Sequence, residues 1–140
     1  MNFYVSIFKN SKVGSVSRYG EGGPRPEGMV MTATFQLDGQ EFMALNGGPE
    51  FHFTEAISFF VNGETQEEVD ELWEKLSEGG EKGRCGWLKD KYGLSWQIIP
   101  TALGELLGAK DAVKAQRVMQ AMLQMDKIDI QVLKRAYEQQ

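Results

Sequence analysis

Few side chains in this chain have the chemistry for catalysis or metal binding, and their spacing argues against both. His52 is the only imidazole, set in PEFHFTE between Glu50 and Glu55. A metal site needs several converging ligands, and that spacing matches no ligand motif, so a loop or packing role is expected for His52. Cys85 is the only cysteine. A reactive thiolate needs a histidine or a basic group beside it. Lys82 and Arg84 are near in sequence, but an extended chain points Arg84 to the opposite face, so an inert buried thiol is expected. Glu67, Glu68, Asp70 and Glu71 form the solvated face of a helix rather than an acid–base pair. The run GEGGPRPEG, Gly20 to Gly28, is rich in glycine, yet its prolines and hairpin surroundings do not suit a phosphate-cradling turn between strand and helix.

The elements that must position these residues follow from hydrophobic spacing. Phe3, Tyr4, Ile7 and Phe8 sit at helical intervals, which predicts a helix over Asn2 to Phe8, with a strand as the competing reading. Lys12 to Tyr19 and Met29 to Leu37 read as strands, the second with Met31, Ala33, Phe35 and Leu37 on one face. Asp38-Gly39 marks a tight hairpin, and Gln40 to Asn46 returns. Ala56 to Asn62 is a further strand. Thr65 and Glu68 form a capping box for a helix whose buried stripe is Val69, Leu72, Trp73 and Leu76, ended by Gly79-Gly80. Strands Gly86 to Lys89 and Ser95 to Ile99 flank an Asp90 to Gly93 turn. From Thr101 onward the chain is helical, with Asp129 capping a last helix.

Composition bounds the rest. The chain has 140 residues, 41% hydrophobic and 11% aromatic, and a net charge of −5. That suits one globular domain, and the acidic balance opposes binding to nucleic acid or an anionic membrane. A single cysteine fits a reducing compartment. The apolar run Phe3 to Phe8 is too short for a signal-peptide core or a membrane span, so a cytoplasmic location is expected.

With these elements in order, NFYVSIFKNS, the pairing of DGQEFMALNGGP with FTEAISFFV, and CGWLKDKYGLSWQIIP resemble the PhnB-like branch of the vicinal oxygen chelate superfamily, which includes glyoxalase and bleomycin-resistance proteins. This branch often carries the label 3-demethylubiquinone-9 3-methyltransferase. The resemblance implies an α+β fold: two βαβββ modules forming a cup-shaped sheet. Here the first module (residues 1–50) lacks its leading strand, the second covers 51–100, and C-terminal helices follow over 101–140, all as a single glyoxalase-like domain. An unpaired sheet edge invites another chain, so a homodimer is expected.

In metal-using relatives His or Glu stands at inward strand positions. The resemblance places Ala56, Met43 and Gln97 there, a set unsuited to a divalent cation, so no metal and no cofactor is expected. Strand alternation gathers Thr34, Gln36, Met43, Ser58, Phe60, Trp87 and Gln97 as a mixed polar and apolar lining, the character of an orienting small-molecule pocket. Lys89 shares the face of Trp87. The expected function is binding of a small molecule; the alternative is an enzyme of the same fold, of lyase, isomerase or dioxygenase type or the labelled methyltransferase. The glycine arrangement argues against the last of these.

Overall fold

The computed structural model describes residues 1–139. The chain divides into two compact units, Met1–His52 and Phe53–Gln140. It is a mixed α+β protein with an αβββ first unit and a βαβββ second unit followed by three helices.

In the first unit, helix α1 (Asn2–Val5) precedes strands β1 (Lys12–Arg18), β2 (Val30–Leu37) and β3 (Gln40–Leu45). The helix is shorter than the aromatic spacing predicts. Ser6 Oγ donates to the Phe3 carbonyl at 2.6 Å, competing with continuation of the helix at its last turn. Asn10 then takes φ 48°, and the chain enters β1. The strands form an antiparallel sheet in the order β1-β2-β3. Alternation along β2 is as expected: Ala33, Phe35 and Leu37 are buried, and α1 packs against β1 and β2. Phe35 stacks on Phe42 of β3 across the same face, ring centroids 5.6 Å apart. The Asp38-Gly39 hairpin forms, both residues at positive φ (50° and 79°), the geometry of a two-residue loop between twisted strands.

In the second unit, β4 (Ser58–Gly63), α2 (Gln66–Ser77), β5 (Glu81–Lys82), β6 (Trp87–Lys89) and β7 (Ser95–Pro100) build a sheet in the order β4-β7-β6-β5. Strand β4 runs parallel to β7, which requires a crossover; α2 supplies it. Thr65 caps α2 by accepting from the Glu68 amide at 3.2 Å, and Glu68 Oε2 reaches back to the Glu64 amide at 2.8 Å, one residue before the usual box partner. Val69, Trp73 and Leu76 bury against the sheet face of Trp96 and Ile98. On that face Phe59 meets Trp96 edge-on at 5.2 Å.

Strand β4 begins at Ser58, two residues later than the sequence pattern predicts. Ala56 and Ile57 lie in a turn in which the Thr54 hydroxyl accepts from the Ala56 amide at 3.4 Å and the Thr54 carbonyl from Ile57 at 3.4 Å. Ala56 is thus in the turn ahead of β4 and not on an inward strand position. The two-residue β5, all charged, gave no alternation to read.

The C-terminal helices α3 (Thr101–Leu107), α4 (Ala112–Met122) and α5 (Ile130–Glu138) share a core of Leu103, Val118, Ile128 and Leu133 with Ile99 of β7. Asp111 caps α4 and Asp129 caps α5 through their side-chain carboxylates. Among the described residues no helix is long and apolar enough to cross a membrane.

Candidate functional site

The residues singled out by strand alternation fall into two sets, one on each sheet. In the second unit, Ser58 and Phe60 stand on β4, Gln97 on β7 and Trp87 on β6. Phe60 and Trp87 are both in register with Gln97, on its two sides. In-register neighbours share a face of the pleat, so the three form one row. Gln97 Nε2 donates to Ser58 Oγ at 3.0 Å, tying the amide to the preceding position on β4. Phe60 is 57% exposed and Trp87 36%, whereas Trp73 and Trp96 are buried. Two large aromatic side chains in water beside a hydrogen-bonded amide form a surface that a small ligand can use.

Lys89, one position along on β6, pairs with Ser95 and shares this face. Its ammonium binds the carboxylate of Glu55, from the turn before β4. A hydrogen bond to Glu55 raises the Lys89 pKa above its ordinary value, and the same bond lowers that of Glu55. Sequence reasoning considered Glu55 only as a neighbour of His52; its role as the partner of Lys89 has no short-range signal.

The opposite end of this face is closed. Ile99, two residues beyond Gln97 and so on the same side of β7, is 8% exposed, buried by Leu103, Val118, Ile128 and Leu133. The C-terminal helices therefore form the end of the face that carries the candidate site. They are held there by main-chain bonds: the Cys85 amide donates to the Met125 carbonyl at 2.8 Å and the Gly86 amide to Asp126 at 2.7 Å. The turn is tight. Gly86 has φ 82°, and a Cβ there would stand 2.8 Å from the Ile98 carbonyl oxygen. Trp87 follows directly, so the contact with the helices sets where that indole begins.

Cys85, at φ 56°, is half-buried in the same turn rather than in a strand, its thiol 3.6 Å from the Met122 carbonyl. His52 is exposed in the loop after β3. Among the described residues no three of His, Cys, Asp and Glu converge as a metal site would require.

In the first unit, Thr34, Gln36 and Met43 share a face, with Thr34 directly across from Met43. Thr34 is engaged elsewhere. Its hydroxyl accepts from the Ser15 amide at 2.9 Å and lies 3.0 Å from Ser15 Oγ, at a register shift between Val13 and Val16. A Cβ on Gly14 would stand 2.4 Å from that oxygen. Thr34 thus completes a β-bulge. Thr32 and Ser17 satisfy each other in the same way. Met43 is 71% exposed. The threonine hydroxyls of this face are paired with Ser15 and Ser17, and the better candidate for ligand contact is the second unit.

Asp90 shows how the β6–β7 turn is held. It is 2% exposed and accepts from the Tyr92 amide (2.8 Å), the Leu94 amide (3.1 Å) and Trp96 Nε1 (2.9 Å). The sequence marks this segment as a turn but not the reach of the carboxylate to the indole.

These two units, one αβββ and one βαβββ with helices appended, define a class of small α+β proteins built from a repeated module. A family model described as 3-demethylubiquinone-9 3-methyltransferase matches residues 1–99, and the chain belongs to that family, in its PhnB-like form. A solved Bacillus cereus structure, described as a putative 3-demethylubiquinone-9 3-methyltransferase, PhnB protein, is 44% identical. The match covers 72% of this chain and 88% of that one, with a TM-score of 0.66. A Pseudomonas aeruginosa protein structure shares the fold at 19% identity and TM-score 0.51, covering 64% of this chain and 77% of that one. No curated protein matches. The family match ends at residue 99, within β7 and two residues before α3 begins at Thr101.

Proposed function

We propose that this chain is a cytoplasmic small-molecule-binding protein of the vicinal oxygen chelate type that works without a metal or cofactor and as a homodimer. The observation that carries the reading is the exposed row Phe60–Gln97–Trp87 with Ser58 bonded to its central amide. Exposed aromatic rings beside fixed polar groups orient a ligand, and solvent exposure of both rings is otherwise unfavourable. The donors at the metal positions of relatives, Met43 and Gln97, are a thioether and an amide, poor ligands for a hard or borderline divalent ion.

The test is a thermal-shift screen of purified protein against a metabolite panel, with elemental analysis for metal. A ligand that binds the folded state at about a hundred times its Kd stabilises it by about 2.7 kcal/mol, readily seen as a rise in Tm. The gain should vanish in Phe60→Ala and Gln97→Ala. A stoichiometric divalent ion in the purified protein would overturn the metal-free reading.

A second reading, a methyl-transferring enzyme, draws on the family description. Against it, the glycine-rich segment Gly20–Gly28 joins antiparallel strands β1 and β2 rather than a strand and a helix of a parallel sheet. Stabilisation by S-adenosylmethionine in the same screen would favour the enzyme.

A further inference from the structure

The helices α4 and α5 lie beyond the residues 1–99 that match the family, and the groove between them has a chemistry of its own. We infer that this groove binds a small oxyanion, a carboxylate or a phosphate group, between Arg117 and Arg135. The site is separate from the row on the second sheet and does not depend on it.

Each helix gives one face to the groove. Arg117, Gln120 and Ala121 stand at i, i+3 and i+4 on α4, and Val132, Arg135 and Ala136 repeat that spacing on α5. With Gln139, just after α5, they border an open groove of about 620 Å³. Small-molecule sites have about 300–1,000 Å³.

Arg117 is half-buried, and its side chain is anchored to the main chain of α5. Its Nε donates to the Ala136 carbonyl at 3.1 Å and its Nη2 to the Tyr137 carbonyl at 3.2 Å. Those bonds use one edge of the guanidinium. The other edge keeps both N–H groups of Nη1 and one of Nη2, the fork that suits two oxygens of a carboxylate or phosphate. Two main-chain bonds already order this side chain, so less freedom is lost when an anion binds. Arg135 is exposed and brings the second charge, and the amides of Gln120 and Gln139 add neutral donors.

The local field favours an anion. Among the described residues no acidic side chain lines the groove. The opposing charge is the C-terminal end of α5, worth about half a negative charge, against two guanidinium groups. Lys114, one turn before Arg117, lies 5.0 Å over the Tyr137 ring and adds positive charge at the same end. The chain as a whole carries −5, but charges more than about 8 Å away are largely screened at physiological ionic strength, so the local balance decides. Ala121, Val132 and Ala136 give the groove an apolar part, where the body that carries the anionic group can rest.

The test is a titration of nitrogen-15-labelled full chain, followed through its amide and arginine Nε–H resonances, with hexanoate, inorganic phosphate and hexanamide. Either anion should move the resonances of Arg117, Gln120, Arg135 and Gln139 together and to saturation, with a Kd of about 5 mM or below, as suits so small a ligand. Hexanamide, the neutral match of hexanoate, should bind about tenfold or more weakly, having no charge to pair. Tighter hexanoate makes a carboxylate on an apolar body the natural source, and tighter phosphate makes it a free phosphate; both results uphold the site. Arg135→Gln should weaken binding about tenfold. Lys134→Gln makes the same change of charge one position away and outside the groove, and should alter it by less than about twofold. Both residues are exposed, so neither variant loses a core contact. Equal losses in the two variants would reduce the effect to general surface charge and overturn the site. Hexanamide binding as tightly as hexanoate would overturn the anionic class. Stationary resonances at the four residues with about 20 mM of either anion would overturn the inference outright.

Discussion

At the scale of single residues, the side chains that matter most to the candidate site are those that hold its strands. Asp90 accepts from the Tyr92 and Leu94 amides and from the indole of Trp96, next to Gln97. Asp90→Ala would remove the carboxylate to which the Tyr92 and Leu94 amides and the Trp96 indole N–H donate. An unsatisfied buried donor costs about 1–3 kcal/mol, so a net loss of about 3 kcal/mol is expected in urea unfolding, with the near-ultraviolet signal of the tryptophans altered. Asp90→Asn, which keeps a carbonyl acceptor, should lose less. A loss equal to that of alanine would show that the geometry rather than the acceptor matters. Thr34 teaches a related lesson. Its place on the sheet face follows from alternation alone, but its hydroxyl closes a bulge against Ser15, which no periodicity encodes. A residue's face is readable from sequence; what its polar atom touches depends on the neighbouring strand.

At the scale of elements, the C-terminal helices are joined to the second sheet by a few specific contacts whose loss can be measured. Gln66, at the start of α2, donates to the Ile128 carbonyl at 3.1 Å and accepts from the Ile130 amide at 2.8 Å, bridging α2 to the start of α5. Gln66→Ala should cost about 1–3 kcal/mol in denaturant unfolding and speed hydrogen exchange at Ile130 more than in β7. Uniform exchange across the unit would refute a local latch. Next to it, Asp70 binds Lys127 at 2.8 Å. The hydrogen bond from Lys127, then that from Gln66, holds the Asp70 pKa below its ordinary value. A depressed carboxylate contributes stability above its unfolded pKa, and that contribution is lost as pH falls through its lower folded pKa. The helices should therefore loosen in acid below about pH 4, the ordinary aspartate range, and Asp70→Asn should remove that step. Hydrogen exchange at α5 from pH 6 to pH 3 measures it.

Most of this element order was legible. The hairpin at Asp38-Gly39, the Thr65 cap and the Asp129 cap each rest on one or two residues with strong local geometry. What was not legible had competing local bonds or too little pattern. Ser6 ends α1 early, the Thr54 turn delays β4, and β5 is two charged residues. The end wall at Ile99 was hidden for a different reason. Alternation places Ile99 on the same face as Gln97, and only the packing of helices beginning after Pro100 removes it from solvent.

At the scale of the whole molecule, the two units differ in one respect that bears on association. In the second unit β7 carries a parallel neighbour, β4, along its outer side. In the first unit β3, the last strand of its antiparallel sheet, has no such neighbour among the described residues. An edge with free amides and carbonyls is a template for another strand. The same unit leaves Met43 and Leu45 of β3 at 71% and 65% exposure, and Phe51, soon after, at 94%. Fully burying one such side chain is worth about 1.5–3 kcal/mol, a sizeable incentive for a small protein to cover them. We propose a second copy of this chain as the cover, so that sedimentation velocity at micromolar concentration should give twice the mass of the chain. Phe51→Ser tests the assignment without disturbing a core, because Phe51 has almost no contact to lose and surface substitutions of this kind change stability by about 0.5 kcal/mol or less. The variant should shift the equilibrium toward monomer with unchanged far-ultraviolet circular dichroism. A native chain that stays monomeric at about 100 μM, well above the Kd of a stable interface, would exclude the second copy and leave the β3 edge as a solvated boundary.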